Sequence, residues 1–153
     1  MSEHTAIIEW RRATPDFSYL TYERSHLWRF ESGIEVPGRA SPANIPATAP
    51  SAPGVDPEVA FVAAISSCHM LWFLHVACTG KFTVDRYSDH AVGVLEKNPE
   101  GRMSVTRVTL HPAVVFGGGI RPTAEQLGEL HEEAHRQCFI ANSVKTEIVI
   151  EPR

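Results

Sequence analysis

The chain has 153 residues, a net charge of −4, 43% apolar residues and 21% charged ones. That length suits one domain with a core of its own, and the composition is that of a globular protein. An acidic balance without a run of Lys or Arg argues against a nucleic-acid face.

Residues 1–41 read as short antiparallel strands. TAIIEWRRAT (5–14) has strand composition, and HLWRF (26–30) and IEVPG (34–38) flank the turn ESG. Residues 42–55, with NIPATAPSAPG, predict a proline-rich surface loop. A helix is expected over 56–79. Asp56 suits its N-cap, Pro57 its first position, Glu58 the positive end of its dipole and Gly80 its stop. Residues 82–117 predict two strands joined at Pro99-Glu100-Gly101. Thr123 and Gln126 form a capping box for a second helix over 123–140, and 145–152 reads as a last strand. This order makes an α+β fold with a mostly antiparallel sheet.

The first helix contains VAFVAAISSCHMLWFLHVAC (59–78), which has no Asp, Glu, Lys or Arg. Its length would span a bilayer of ~20 residues. Ser66, Ser67, His69 and His75 interrupt it, and no basic cluster flanks it, so a buried central helix is the expectation and a membrane span the alternative. A sheet in so small a chain covers one side of such a helix. A second copy is expected to cover the rest, giving a homodimer. The start, MSEHTAIIEWRRATPD, lacks the pattern of a signal peptide, which predicts a cytoplasmic protein. In that compartment three cysteines serve as buried filler, metal ligands or redox groups rather than as structural disulfides.

HEEAH (131–135) matches the HExxH zinc signature, with His131 and His135 as ligands and Glu132 as base. On a helical wheel His131, His135 and Cys138 share a side. Leu127, Leu130, Ala134 and Cys138 form the apolar stripe, however, with the two histidines on its flank. The expectation is two histidines bordering a buried face, with a zinc hydrolase as an alternative.

Cys68 and Cys138 each sit where a helix passes from apolar to polar residues. Ser66, Ser67 and His69 accompany the first, and Gln137, Asn142 and Ser143 the second. Cys78 reads as filler. The pattern DPEVAFVAAISSCHM, followed much later by CFIANSVKTEI, resembles the OsmC/Ohr family, the osmotically induced protein C and organic hydroperoxide resistance proteins. The likeness spans nearly the whole chain and leans to the OsmC-like side.

That resemblance implies an intertwined homodimer and a thiol peroxidase. Cys68 matches the peroxidatic position, Cys138 the resolving one, and Glu58 the family's carboxylate. Arg24 is the choice for the family's arginine, with Arg29 as runner-up. The family's Cys-Pro is replaced by Cys138-Phe139-Ile140. The implied substrate is a hydroperoxide, with a dithiol or lipoyl-type reductant, no resident cofactor, no metal, and neither nucleic acid nor membrane as partner.

The chemistry suits these residue types. A free cysteine, with pKa ~8.5, is mostly protonated at neutral pH, and a nearby guanidinium favours its thiolate. A carboxylate can hold that guanidinium by a bidentate pair. Attack on the O–O bond gives a sulfenic acid on Cys68. Cys138 condenses with it to a disulfide, which a dithiol reopens. Phe61, Met70, Trp72, Phe139 or Ile140 beside the thiolate would favour peroxides with an apolar group. A non-enzymatic stress-associated binding protein on the same fold is the remaining alternative.

Overall fold

Ala6–Glu9 (β1), His26–Phe30 (β2) and Glu35–Gly38 (β3) form an antiparallel sheet in the order β1-β2-β3 in the computed structural model, which describes residues 1–153. The alternating apolar residues set its register. Ile8 faces Trp28, and Trp28 faces Val36. The β2–β3 turn closes as expected at Glu31-Ser32-Gly33. Gly33 holds φ +81°, a left-handed conformation that favours glycine. The proline-rich loop makes one 3-10 turn, Pro42–Asn44, and returns to β3. There the Val55 N–H donates to Pro37 O (2.8 Å) and the Arg39 N–H donates to Val55 O (3.1 Å).

The chain divides into two compact units, Met1–Ala60 and Phe61–Arg153. The helix Pro57–Thr79 (α1) begins in the first and runs on in the second. Asp56 caps it, its carboxylate accepting the Val59 N–H at 3.0 Å. The helix stops before Gly80, but the left-handed residue is Lys81, at φ +63°.

In the second unit, the two predicted strands each break in the middle. Thr83–Asp89 (β4) and Val92–Lys97 (β5) replace one, and Met103–Leu110 (β6) and Pro112–Gly117 (β7) the other. β4 pairs with β7, while β5 pairs with β6 across the predicted turn. The breaks lie at His90–Ala91 and His111, where Asp89 accepts the His111 N–H at 2.6 Å. The bend at His111 therefore depends on a side chain 22 residues away, while the first follows Asp89 directly. Ala124–Gln137 (α2) carries the predicted capping box at Thr123 and Gln126. Glu147–Ile150 (β8) joins β6 in parallel, an exception to the antiparallel expectation.

Two apolar clusters hold this unit together. Phe73 and Ala77 of α1 pack with Leu130 and Ala134 of α2, and Ile65 packs with Val108 and Leu110 of β6. Within one chain, α1 is buried on one side, the side expected to lie on this chain's own core. It buries one stripe, Ile65, His69, Phe73 and Ala77, spaced four residues apart. Ala63, Ser67, Leu71 and His75 on the other face stay exposed, because this chain offers no second layer there. By length and composition alone α1 could cross a membrane.

Candidate functional site

Cys68 and Cys138, 70 positions apart (138 − 68), lie close enough for the Cys68 thiol to act on that of Cys138. Cys68 lies in the middle of α1 and is half-buried; Cys138 is the C-cap of α2 and is buried. The chain after α2 folds around the second sulfur. The Cys138 N–H donates to His135 O (3.2 Å), the Asn142 N–H donates to Cys138 O (3.0 Å), and the Ala141 N–H reaches Cys138 Sγ (3.4 Å). Phe139-Ile140 in place of Cys-Pro thus leaves an ordered 3-10 turn, Ala141–Ser143, beside the thiol.

Burial pushes the Cys138 thiol pKa well up, the contact with Cys68 adds to this, and the Ala141 N–H works against it. Cys138 therefore waits as a neutral thiol. Trp72 and Phe139 pack edge to face at 5.4 Å, and Phe61 and Ile140 belong to the Ile65 cluster. Four of the five apolar residues foreseen near the thiols are thus placed in the packing of α1 and the segment after α2. Cys78 is exposed.

A third element of this region escaped the sequence reading. His69, next to Cys68, is buried, and its Nε2 lies 3.1 Å from Nδ1 of His131, also buried. The rings are parallel within 6°. Burial is the main force holding both pKa values down to about 4, helped at His69 by His131 and His135 and opposed at His131 by Asp89. His131 was expected on the flank of the buried face and instead lies within it. The signal was available in α1, where His69 falls on the four-residue spacing of Ile65, Phe73 and Ala77.

This placement removes the basis for the zinc hydrolase. A zincin needs two histidines facing an open coordination position and a third ligand. His131 is 3% exposed, its Nδ1 is taken by His69, and no group of three or more His, Cys, Asp or Glu side chains could hold a metal ion.

Arg24 and Glu58 belong to the first unit, where both line a cavity of about 620 Å³. Trp10, Phe17, Tyr19 and Tyr22 give that cavity aromatic walls. The expected carboxylate clamp on the guanidinium is not formed. Arg24 donates instead to Tyr22 O (2.9 Å) and Tyr19 O (2.8 Å), and its guanidinium lies 3.7 Å over the Tyr22 ring. Glu58 Oε2 is buried without a partner. The runner-up, Arg29, is exposed on the β1-β2-β3 sheet, tied to Glu35 (2.6 Å) and to Glu9.

The OsmC-like protein family model matches residues 49–153. An OsmC-like protein of unknown function from Vibrio cholerae shares 48% identity over the whole of both chains, with a TM-score of 0.93. The organic hydroperoxide resistance protein OhrB of Bacillus subtilis shares 18% identity over 99% of this chain and 98% of its own, with a TM-score of 0.71. An organic hydroperoxide resistance protein from Elizabethkingia anophelis shares 20% over 99% and 94%, with a TM-score of 0.69. The last two likenesses are of fold. No curated protein matches the chain in sequence.

Proposed function

The chain belongs to the OsmC-like protein family, and on that footing we propose that it is a thiol peroxidase that reduces organic hydroperoxides. The observation that carries this reading is the nearness of Cys68 on α1 to the buried Cys138 at the end of α2. Structural fillers have no need to meet in pairs, whereas a peroxidatic thiol needs a second thiol within reach.

In the proposed cycle the Cys68 thiolate attacks the outer oxygen of ROOH. The O–O bond breaks, an alcohol leaves, and Cys68 becomes a sulfenic acid. Cys138 then attacks that sulfur, forming the Cys68–Cys138 disulfide and releasing water. A dithiol or lipoyl-type reductant returns both thiols by exchange. Arg24 is proposed as the cation that favours the thiolate and binds the peroxide oxygens, with Glu58 as its orienting carboxylate. Their shared cavity supports a pairing of these two side chains, and so does the buried, unpaired Oε2 of Glu58. The active form is proposed to be a cytoplasmic homodimer, in which a second copy covers the open α1 face around Leu71.

The test is direct. Reduced protein receives one equivalent of an organic hydroperoxide, and intact mass and free thiols are measured. Loss of two hydrogens with Cys68 joined to Cys138 supports the cycle. Persistence of the peroxide with both thiols free ends it and favours a binding protein with inert cysteines.

A further inference from the structure

The two helices that carry the thiols are joined at a second point, one residue from Cys68 on α1 and seven from Cys138 on α2. His69 Nε2 and His131 Nδ1 lie 3.1 Å apart with both rings buried. Such a pair holds together by a single hydrogen: one ring nitrogen donates it and the other accepts. The outer nitrogens, His69 Nδ1 and His131 Nε2, have no partner. The histidine pair therefore makes one bond, and that bond runs between the helices. Phe73 packs on His131 with centroids 4.4 Å apart, which limits the choice of ring position. His135 of α2 is the other titratable group acting on His69, and Asp89 of β4 is the one acting on His131.

Apolar packing alone would hold α1 and α2 together without a buried imidazole pair. Phe73 and Ala77 already do so against Leu130 and Ala134. A directional bond adds a fixed register. The side chains it fixes most closely are Cys68, covalently adjacent to His69, and Cys138, on the same buried stripe of α2 as His131.

We propose that His69 and His131 are positioning residues whose shared hydrogen bond holds the Cys68 sulfur against the Cys138 sulfur. This rests on the two-thiol reading above for its purpose, though not for its geometry. Neither histidine touches the peroxide. Their effect falls on the second step, in which Cys68–SOH and Cys138–SH give the disulfide and water, and not on the first.

The test uses full-length protein with Cys78→Ser, which removes the exposed thiol. A short bifunctional alkylating reagent, able to bridge only sulfurs in contact, is compared with a monofunctional one. Bridging of Cys68 to Cys138 is expected in the parent. In His131→Leu, bridging relative to single labelling of Cys68 is expected to fall ~10-fold, the size of one lost buried hydrogen bond. His131→Asn keeps a side-chain acceptor there and is expected to restore most of it. With one equivalent of tert-butyl hydroperoxide, His131→Leu should form the sulfenic acid at the parent rate and convert it to disulfide ~10-fold more slowly. If His131→Leu does not fold, His69→Asn reads the same bond from the other ring.

Parent-like bridging in every folded variant would overturn the proposal. So would an equal loss in His131→Leu and His131→Asn, which would mark a packing role only. If the parent bridges its thiols but forms no sulfenic acid, the peroxidase reading fails while the alkylation arm still judges the histidine pair.

Discussion

Asp89 fixes His111 across a gap in the sheet: its Oδ1 accepts the His111 backbone N–H at 2.6 Å, while Oδ2 accepts the Ser66 hydroxyl. One carboxylate thus binds the end of β4, the break between β6 and β7, and α1 two residues before Cys68. Asp89→Ala leaves two donors without their acceptor. The expected loss is ~1–3 kcal/mol of unfolding free energy, read as a lower urea midpoint at unchanged slope. A midpoint equal to the parent's would show the carboxylate to be idle.

The histidine pair predicts acid sensitivity. Both rings have pKa values of about 4 when folded, against an ordinary 6.5. As pH falls through 6.5 the unfolded chain takes up protons first, so the contribution is complete above 6.5 and is lost progressively towards 4. Between pH 7 and pH 5 the loss for one ring taken alone is about 2 kcal/mol. Because one ring's charge affects the other, the pair together loses less than twice that. Urea unfolding at the two pH values measures it, and His131→Phe should flatten the slope. Equal stability at both pH values would contradict the buried neutral pair.

The two arginines should behave differently. Arg24→Gln removes the proposed cation and is expected to slow sulfenic acid formation ~10- to 100-fold, the range for a lost charge-assisted hydrogen bond. Arg29 has an exposed side chain (46%) tied to Glu9 and Glu35. Arg29→Gln should leave both the stability and the rate close to the parent's. Equal slowing by both would mean that the wrong arginine has been chosen.

Phe73 is fully buried and packs against Tyr87, Phe116 and His131. Phe73→Ala should cost ~3–5 kcal/mol, the range for deleting a core aromatic ring. Because the ring also confines His131, the variant should bridge Cys68 to Cys138 less well in whatever fraction remains folded. Thermal unfolding and the alkylation assay measure the two effects separately.

What could be read in advance was what short-range chemistry writes into the chain. The caps at Asp56 and Thr123, the left-handed turn at Gly33 and the helix containing Cys68 all follow from a few adjacent residues. The α+β class followed from their order. Long-range contacts left no such mark. The break at His111 is held by Asp89, 22 residues away, and the parallel pairing of β8 with β6 closes over about 40 residues, as with Arg107 opposite Glu147. The site divides in the same way. Both cysteines were marked by their helix positions and by family resemblance. The partner of His69 was hidden because a histidine on an apolar stripe does not say what it faces. The clamp between Arg24 and Glu58 failed because Tyr19 and Tyr22 offer the guanidinium two carbonyls and a ring nearer at hand.

The raised pKa and the burial of Cys138 set its standing towards the surroundings. Electrophiles and oxidants in solution react with thiolates, and a buried neutral thiol offers them almost none. Cys138 is thus shielded from the irreversible sulfinic and sulfonic rungs, yet in the proposed cycle it remains available to the one electrophile delivered to it, an oxidised Cys68 on α1. In that cycle the reserve thiol would stay unspent during oxidant exposure without any guard protein, because its proton is the guard.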